Sequence, residues 1–401
     1  MKLVFVNRYF HPDISATSQA LMDLATDQAR RGREVHVVTS RQLYEDPAAD
    51  LPAEGEHEGV RIHRVRTSTF GRHNLAGRAL DYATFYLSAA RCLWTLARAG
   101  DVIVANTDPP LVSVVAGWVA RLRGARLVNW LHDVFPEIAQ RLDVAVLRGP
   151  LGAFARRLRD TSLRTAAVNV VLGERMKAVV TERVGPRSRV EVVENWADGA
   201  VIRPLQAAGN VLRRQWGLEG RFVVGYSGNL GRAHEFDTIL GAAEMLRGEP
   251  EFAFLFIGGG RQRAWVEGEA ARMGLGNLVF QPYQPRDLLA ASLSSADVHL
   301  VTLQAGLEGL IVPSKFYGVA AAGRPTIFIG DPDGEIARHL SREACGTAVR
   351  TGDTRGLASA IRALRADPAE AAAMGGRARS AFERIWDRPH AMERWNAVLP
   401  L

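Results

Sequence analysis

The chain has 401 residues, a length that fits two domains of roughly 200 residues better than one compact core. Hydrophobic residues make up 47% and charged residues 23%, which excludes a disordered chain and leaves apolar material for two cores. The net charge is +7, and the two cysteines, Cys92 and Cys345, lie far apart. Two such thiols exclude a disulfide framework or a four-ligand zinc site and favour a reducing compartment.

No segment predicts export or a membrane-spanning helix. Residues 1–8 contain only four consecutive apolar residues, too few for the core of a signal peptide. The longest apolar candidate, residues 80–97, is interrupted by Asp81 and Arg91, whereas a span needs about 18 nearly uncharged residues. We therefore expect a cytoplasmic protein.

In chain order, strand-like apolar runs alternate with helical patterns, which is typical of βαβ units with parallel sheets. The first helix has Leu21, Leu24 and Ala25 on one face and is stopped by Gly32. The fold class is therefore predicted as α/β. Strands are predicted at residues 3–7, 35–39, 61–65, 101–105, 126–131, 168–172 and 190–193, and in a second series at residues 222–226, 252–257, 278–281, 298–302, 326–329 and 348–350.

The two series of strands predict two doubly wound domains joined by a polar stretch. This stretch runs from residues 195–199 through Pro204 to about Asn210 and has no periodicity. We place the first domain at residues 1–204 and the second at 205–380. Residues 381–401 are aromatic and amphipathic, and they predict a helix that crosses back to the first domain.

The loops after strands are the candidates for function, because ligands of open parallel sheets bind beyond the carboxyl ends of the strands. Ser15, Thr17 and Ser18 follow the first strand and open a helix, where free N–H groups favour an anion. The alternative is that one of them is only an N-cap. His132 and Asp133 follow the strand at 126–131.

His132 is the strongest single candidate, because its near-neutral pKa allows it to bind a substrate hydroxyl or to transfer a proton. The alternative is a structural role in which Asp133 fixes the loop.

In the second domain, residues 225–235 form a strand, a glycine-rich turn and the start of a helix. Such a turn lets the backbone approach a diphosphate, and Arg232 offers a guanidinium for bidentate contact. A second turn, residues 258–260, is followed by Arg261 and Arg263. The alternative is that these glycines serve packing only.

Pro313 and Ser314 start a helix whose first turn carries Lys315. The lysine and the positive end of the helix dipole then point the same way. Together with Arg232 and the turn at Gly228, Lys315 predicts an anion site for a nucleoside diphosphate.

Basic segments suggest an acidic partner. Residues 61–98 hold seven arginines against one acid, and residues 141–189 hold eleven cations against four acids. The amphipathic pattern of residues 151–163, which includes Arg156 and Arg157, together with residues 80–97, suits an anionic bilayer surface. The alternative is ordinary helices packed on the sheet with solvated faces.

Five motifs give the chain a resemblance to a known family over nearly its whole length. They are Tyr9-Phe10 with Pro12, His132-Asp133, residues 195–198 (Asn-Trp-Ala-Asp), residues 228–234 (Gly-Asn-Leu-Gly-Arg-Ala-His), and residues 313–315 (Pro-Ser-Lys) with 321–325 (Ala-Ala-Gly-Arg-Pro). With these motifs the chain resembles the retaining glycosyltransferase family 4 of the GT-B fold, in the subgroup of WcaI-like and WbuB-like enzymes of bacterial surface polysaccharides.

The resemblance implies two Rossmann-like doubly wound domains with a cleft between them, and sugar transfer from a nucleotide sugar with retention. The nucleotide is expected to be UDP, with GDP as the alternative, and the acceptor a polyprenyl-diphosphate-linked glycan at a membrane. Neither a cofactor nor a metal is expected, and no nucleic acid. The implied residues are catalytic His132, Arg232 and Lys315; donor-binding Gly228, Asn229, Gly231, His234, Gly259, Tyr283, Glu308, Pro313 and Ser314; and acceptor-binding Ser15, Thr17 and Asp133.

The chain departs from the family pattern at two places. The E-x7-E pair of the wider family falls on Leu310 and Gly318, so Glu308 is left as the candidate carboxylate for the donor. The family's Arg and Lys positions before the following helix fall on Asn229 and His234, so the diphosphate charge passes to Arg232 and Lys315, with Arg261 or Arg263 in reserve.

Residues 331–333 (Asp-Pro-Asp) resemble the D-x-D metal motif of other glycosyltransferases, but they follow a strand and predict a turn. Two other functions stay open: a catalytically silent partner subunit with the same fold, and a non-hydrolysing sugar-nucleotide 2-epimerase.

Overall fold

The computed structural model describes residues 1–71, 75–206 and 209–399, and these divide into two compact units. Unit 1 consists of residues 1–193 and the end of the chain from Met392 onward, and unit 2 consists of residues 194–391. The division thus precedes the predicted one at 204/205. The reason is that the polar stretch packs within unit 2: Ala197 pairs with Asp387 in an isolated bridge, and Trp386 Nε1 donates to Glu194 Oε2 at 3.2 Å.

Unit 1 is built on an eight-stranded sheet in the order β3-β4-β2-β1-β5-β6-β7-β8. All pairs are parallel except β3 with β4. Its central strands β1, β5, β6 and β7 are nearly fully buried, as expected for a parallel sheet covered by helices on both faces. The strands are β1 Lys2–Val6, β2 Glu34–Ser40, β3 Glu54–His57, β4 Val60–Val65, β5 Val102–Ala105, β6 Arg126–Trp130, β7 Val168–Val171 and β8 Val190–Val192.

The edge strand β3 was not predicted. It forms an antiparallel hairpin with β4 through Glu58 and Gly59, which both have positive φ, as in the tight turns that favour hairpins. The strand is polar and mostly exposed, so it lacks the apolar pattern by which strands are recognised.

Helices of unit 1 cover the sheet and bury their apolar faces in its core. Phe85, Ala89 and Leu93 of the long second helix are fully buried against strands β1, β2 and β5. The helices are α1 Ala16–Arg30, α2 Leu75–Leu96, α3 Val112–Arg123, α4 Glu137–Arg141, α5 Pro150–Thr165 and α6 Glu174–Val184.

Unit 2 is built on a six-stranded parallel sheet in the order β11-β10-β9-β12-β13-β14. This order is that of a doubly wound nucleotide-binding sheet, with its switch point between β9 and β12. The strands are β9 Phe222–Ser227, β10 Phe252–Ile257, β11 Leu278–Gln281, β12 Val298–Thr302, β13 Thr326–Ile329 and β14 Gly346–Val349.

The helices of unit 2 alternate with these strands. They are α7 Val211–Gln215, α8 Asp237–Met245, α9 Arg263–Arg272, α10 Leu289–Ser294, α11 Lys315–Ala321, α12 Glu335–Glu343, α13 Thr354–Ala366 and α14 Pro368–Ala381, followed by a π-helical turn Phe382–Trp386. The fold class predicted from the sequence, two α/β domains with parallel sheets, is confirmed.

The last helix, α15 Arg388–Val398, contains the point where the chain leaves unit 2. Trp395 lies in the core of unit 1, with its ring centroid 4.7 Å from that of Trp130. Residues 381–391 belong to unit 2 instead, where Phe316 and Trp386 pack edge to face. The predicted crossing segment 381–401 is therefore divided between the units.

None of the helices within the described residues is both long enough and apolar enough to span a bilayer.

Candidate active site

Two glycine turns lie side by side at the carboxyl ends of β9 and β10 in unit 2. Gly228 and Gly258 have φ angles of 127° and 133°, a backbone region that residues other than glycine rarely adopt. A Cβ atom on Gly258 would overlap the carbonyl oxygen of Gly228, and one on Gly228 would lie 2.8 Å from Lys315 Cε. The glycines therefore allow two backbone turns and a lysine to occupy one small space.

Lys315 and His234 form a polar pair beside these turns. Lys315 Nζ lies 2.7 Å from His234 Nε2, and His234 Nδ1 lies 2.7 Å from the carbonyl oxygen of Thr302. Because a carbonyl only accepts, Nδ1 carries the proton and Nε2 accepts from the lysine. One of the three lysine N–H groups is thus used to position the side chain, and two are left for a ligand.

Burial lowers the pKa of both side chains, so the charge of Lys315 depends on the pH and on a nearby anion. It lowers the pKa of Lys315 to about 7 and that of His234 to about 3, the latter with help from the nearby lysine. His234 is therefore neutral at neutral pH. An anion beside Lys315 would favour its charged form and raise its pKa, since opposite charges stabilise each other.

The turn residues around this pair are held by hydrogen bonds from their own unit. Tyr226 Oη donates to Asn229 O at 2.9 Å, Gln262 Nε2 donates to Gly231 O at 2.7 Å, and Gln304 Nε2 donates to Arg232 O at 2.9 Å. The Arg232 side chain is exposed, as its proposed contact with a ligand requires. These bonds fix the course of the predicted donor-binding loop.

Tyr283 and Gly259 lie at the second turn. A Cβ on Gly259 would be 3.3 Å from the Tyr283 ring, which is 48% exposed. An exposed aromatic ring against a glycine turn offers a stacking surface for a planar group.

Arg261 and Arg263, the two further candidate contacts for the diphosphate, differ in their surroundings. Arg263 donates to the carbonyl oxygens of Gly258 and Gln281 and pairs with Glu267 at 2.8 Å, so it supports the glycine turn from behind. Arg261 is exposed.

The side chain of Glu308 contacts the N-terminus of α12. Its Oε1 accepts from the backbone N–H of Glu335 at 2.9 Å, and a Cβ on Gly334 would lie 2.5 Å from its Oε2. The carboxylate therefore satisfies a free N–H group of a helix N-terminus. Pro313 and Ser314 directly precede α11, as predicted, and Asp331 Oδ1 accepts from the N–H of Asp333 at 2.9 Å in the predicted turn.

In unit 1, His132 is the second residue after the end of β6. Its backbone N–H donates to Thr107 Oγ1 at 3.3 Å, and its ring lies 4.7 Å from that of Trp130. Burial lowers the pKa of His132 to about 4, so the ring is neutral at neutral pH. Within the part of the chain that the structure describes, Nε2 has no hydrogen-bond partner.

Asp133 lines a small cavity of about 20 Å³ together with Asn106, Thr107, Asn129 and Arg159. Burial, together with the charge of Asp108, raises the pKa of Asp133 to about 7. Asp133 Oδ1 and both polar side-chain atoms of Asn106 find no partner among the described residues. Since buried polar groups are normally paired, this cavity fits a polar group of hydroxyl size.

The first loop of unit 1 is organised by Asp13. Its carboxylate accepts from the N–H and hydroxyl of Ser15 and from the N–H of Tyr44, and its carbonyl accepts from Ser18 Oγ at 3.0 Å. Ser15 occupies the N-cap position of α1 but makes no capping hydrogen bond. Thr17 is half-buried in the first turn of α1.

Several residues of these sites were missed by the sequence analysis. Thr302 fixes the tautomer of His234, and Asn106 lines the cavity of unit 1. Arg8 is 6% exposed at the end of β1, with its guanidinium 5.2 Å from the Tyr82 ring. Arg8 and Asn106 also follow strands, so the rule that selected His132 was capable of finding them.

Among the described residues, one group has the spacing of a metal site: Glu194, Glu335 and His339, whose ligand atoms lie within 4.8 Å of one another. His339 Nε2 lies 3.3 Å from Glu194 Oε1, and Arg342 Nη2 lies 3.5 Å from His339 Nδ1. Burial lowers the pKa of His339 to about 4, so the ring is neutral at neutral pH.

Two family profiles match this chain in the order of its two units. The Glycosyl transferase 4-like domain matches residues 15–196, and the Glycosyl transferases group 1 domain matches residues 221–367. WbjE of Pseudomonas aeruginosa, named as a probable glycosyltransferase, is 30% identical over 81% of this chain and 80% of its own. The chain belongs to glycosyltransferase family 4, with the GT-B fold. The predicted family and subgroup are thereby confirmed.

Two further relatives bear on the substrates. WcaI of Escherichia coli K12, named for colanic acid biosynthesis, is 24% identical over 84% of this chain and 85% of its own. A GDP-mannose:cellobiosyl-diphosphopolyprenol alpha-mannosyltransferase of Xanthomonas oryzae is 35% identical over 82 residues, which is 20% of this chain and 22% of its own.

Solved structures share the fold of this glycosyltransferase. Sucrose-phosphate synthase from Thermosynechococcus elongatus superposes with a TM-score of 0.77 at 17% identity, over 99% of this chain and 98% of its own. Anabaena Alr3699/HepE in complex with UDP-glucose superposes with a TM-score of 0.74 at 16% identity over the full length of both chains.

Proposed function

We propose that this glycosyltransferase moves a sugar from a nucleoside-diphosphate sugar to a glycan acceptor in bacterial surface-polysaccharide assembly, with retention at the anomeric carbon. The Lys315–His234 pair beside the glycine turns carries the proposal, because it places a conditional positive charge where the backbone can approach a diphosphate closely. The names of WcaI and the Xanthomonas transferase support the polysaccharide setting.

In the proposed reaction, the bond between the anomeric carbon and the diphosphate oxygen breaks while the acceptor oxygen bonds to the same face of that carbon. The acceptor proton passes to an oxygen of the leaving diphosphate. Negative charge therefore grows on the diphosphate, where the free N–H groups of Lys315 stabilise it. Arg232 supplies a second, exposed cation to the same group.

The other proposed donor contacts belong to the loop and to neighbouring strands. Asn229, Gly231 and Gly259 present backbone N–H groups to the phosphates, and His234 orients Lys315. The N–H of Gly228 donates to the carbonyl oxygen of Ile257 at 2.8 Å, so Gly228 serves the donor by its lack of a side chain. The Tyr283 ring stacks on the base. Pro313 and Ser314 set the start of α11, and Glu308 contacts the donor or holds α12 in place for that contact.

Unit 1 supplies neutral hydrogen-bonding groups to sugars. In this proposal His132 contacts the transferred sugar through Nε2, and Asp133 and Asn106 bind a sugar hydroxyl. Ser15 and Thr17 contact the acceptor at the start of α1.

We propose UDP as the nucleotide, in keeping with the UDP-glucose complex of the structural neighbour, and GDP as the alternative raised by the Xanthomonas relative. The same relative supports a polyprenyl-diphosphate-linked acceptor. Such an acceptor stays in the bilayer, so we place the enzyme at the inner face of the cytoplasmic membrane, as a peripheral protein. Transfer is proposed to need no metal, because side-chain cations balance the diphosphate.

The experiment measures thermal stabilisation of the purified protein by UDP, GDP, ADP and their common sugars, followed by mass spectrometry of the products formed with a lipid-linked acceptor. A ligand that binds only the folded state raises its apparent stability. One nucleotide should stabilise wild-type protein, and Lys315→Met should abolish this shift, whereas Lys177→Met in α6 of unit 1 should keep it.

Transfer that survives EDTA would support the metal-independent part of the proposal. A protein that binds a nucleotide sugar but changes the configuration of its sugar would be an epimerase. Failure of every nucleotide to stabilise the protein would contradict the donor site and favour a catalytically silent subunit.

A further inference from the structure

The outer face of α2 is apolar except for Arg91. Leu80, Ala83, Leu87, Arg91 and Trp94 are all exposed, at spacings of three and four residues that place them on one side of the helix. Leu87 is 74% exposed and Trp94 46%. A helix that packs on a sheet normally presents polar residues on this side, because only its inner side is buried.

The neighbouring helix α3 continues this surface. It packs against α2, and Trp118 and Leu122, one turn apart, are 64% and 71% exposed. The guanidinium of Arg123 at the end of α3 lies 5.2 Å from the centroid of the Trp94 ring, so the C-terminal turns of the two helices adjoin. We define the α2–α3 face as Leu80, Leu87, Trp94, Trp118 and Leu122.

The charges around the α2–α3 face have one sign. Arg91 and Arg121 are exposed within the two helices, and Arg98 follows α2. The one acidic residue in the two helices, Asp81, is 3% exposed and accepts hydrogen bonds from Ser68 and from nearby backbone N–H groups. Exposed carboxylates are therefore absent from both helices.

We infer that the α2–α3 face docks on an anionic phospholipid bilayer. Leucine side chains and tryptophan rings would enter the boundary between head groups and acyl chains, and the arginines would stay at the level of the phosphates. Exposed apolar side chains that cluster on adjoining helices mark an interaction surface.

A bilayer fits this face better than a second copy of the chain. In a symmetric dimer the same patch would face itself, which would bring the arginines of one protomer toward those of the other. An anionic lipid surface instead attracts each of these cations. The sign of the charge thus selects the partner.

The inference rests on the proposed function and deepens it by naming the surface that reaches a membrane-held acceptor. It retains residues 80–97 of the sequence-based expectation and adds α3, and it gives residues 151–163 a lesser part. In α5, Leu151 and Phe154 are 52% and 59% exposed. The α2–α3 face has the two tryptophans, so we assign the main contact to it and use α5 as a comparison.

The test is cosedimentation of the full chain with vesicles of equal parts phosphatidylglycerol and phosphatidylcholine. Wild-type protein should bind. The triple variant Leu87→Ser/Trp118→Ser/Leu122→Ser should bind at least roughly tenfold more weakly. A matched control is Trp265→Ser with Met245→Ser in unit 2, which removes side chains that are 42% and 43% exposed elsewhere. This control should bind as wild type does.

A second pair of variants separates the charges. Arg91→Gln/Arg121→Gln should weaken binding to anionic vesicles and flatten its dependence on salt, without changing the weaker binding to pure phosphatidylcholine. Phe154→Ser should have a smaller effect than the triple variant.

Wild-type protein that stays in the supernatant would overturn the inference, as would a triple variant that binds as wild type does. Concentration-dependent self-association that the triple variant abolishes, without vesicle binding, would show a second copy as the occupant and also overturn it. Nucleotide-induced thermal stabilisation, measured without lipid, should be equal in all these variants. Its absence in wild type would contradict the donor site and leave vesicle binding as a separate result.

Discussion

The two candidate sites lie at the same edge of their sheets but offer opposite chemistry. In unit 2, Lys315 and His234 are linked to each other and to Thr302. In unit 1, His132 Nε2 and Asp133 Oδ1 have no partner among the described residues; burial keeps His132 neutral at neutral pH and raises the pKa of Asp133 to about 7. Unit 2 thus offers a lysine that a bound anion would charge, whereas unit 1 offers polar atoms that a neutral hydroxyl group would pair.

This difference matches the two parts of a nucleotide sugar. A diphosphate carries charge and needs cations and backbone N–H groups, whereas a sugar offers hydroxyl groups that neutral donors and acceptors bind well. The predictions below test whether the two sites divide the work in this way.

The largest expected effect separates binding from turnover. Lys315→Met should weaken nucleotide-sugar binding and lower kcat, because the diphosphate is charged both before and during transfer. His132→Ala removes the proposed hydrogen bond to the transferred sugar, so it should lower kcat by about a hundredfold with a smaller change in nucleotide affinity. Calorimetry for binding and initial rates for turnover measure the two effects; equal rates of wild type and His132→Ala would contradict the role of His132.

The next effect tests the glycine turns of unit 2. Gly258→Ala should lower the free energy of unfolding by several kcal/mol and remove nucleotide binding, because its Cβ overlaps the carbonyl of Gly228 and its φ is 133°. Gly276→Ala is the matched control, since no atom lies within 4 Å of its Cβ position. Denaturant unfolding of both variants measures the difference, and equal stabilities would show that the turn relaxes.

A pH effect should distinguish the charged site from the neutral one. Lys315 has a pKa of about 7 in the free protein, and a bound diphosphate raises it. Binding of a nucleotide sugar should therefore take up a proton at pH 8, and affinity should fall above pH 7 by at most about tenfold per pH unit. Calorimetry in buffers of different ionisation enthalpy checks this, and Lys315→Met should show no such slope.

The smallest effect concerns the neutral site. Burial raises the pKa of Asp133 to about 7, above its unfolded value, so the folded protein binds more protons than the unfolded chain between these two values. The contribution of Asp133 to stability is therefore present at low pH and lost as the pH rises through about 7. Asp133→Asn should raise the melting temperature by roughly 2–4 °C more at pH 8 than at pH 5.

A melting temperature of Asp133→Asn that follows wild type at both pH values would show that Asp133 is ionised in the folded protein. The site of unit 1 would then carry charge as well, and the contrast between the two units would fail.

Much of the fold could be predicted because buried parallel strands are continuous apolar runs. This holds for β5, β7, β10 and β13, whereas β3 was missed because its residues are polar and its pairing depends on the turn at Glu58 and Gly59. The boundary between units was placed too late, since the polar stretch at residues 195–199 looks like a linker and yet packs against Trp386 and Asp387 in unit 2.

The single residues of the candidate site were predicted from the sequence, but the contacts between their side chains were not. The rule that ligands lie beyond strand ends selected Lys315, His234 and His132, but it gave no reason to join Lys315 to His234, which are distant in sequence. Arg263 was held in reserve for the diphosphate, whereas its guanidinium supports the turn through Gly258.

The sequence by itself determined the class of fold, the family and the loops that carry function, because hydrophobic periodicity and short motifs are local properties of the chain. Only the tertiary structure decided which charges are paired, which polar atoms lack partners and which apolar residues of α2 and α3 face outward. These properties depend on burial and on contacts between segments far apart in the chain. Burial also brings the pKa of both Lys315 and Asp133 to about 7, so the group bound beside each side chain decides its charge.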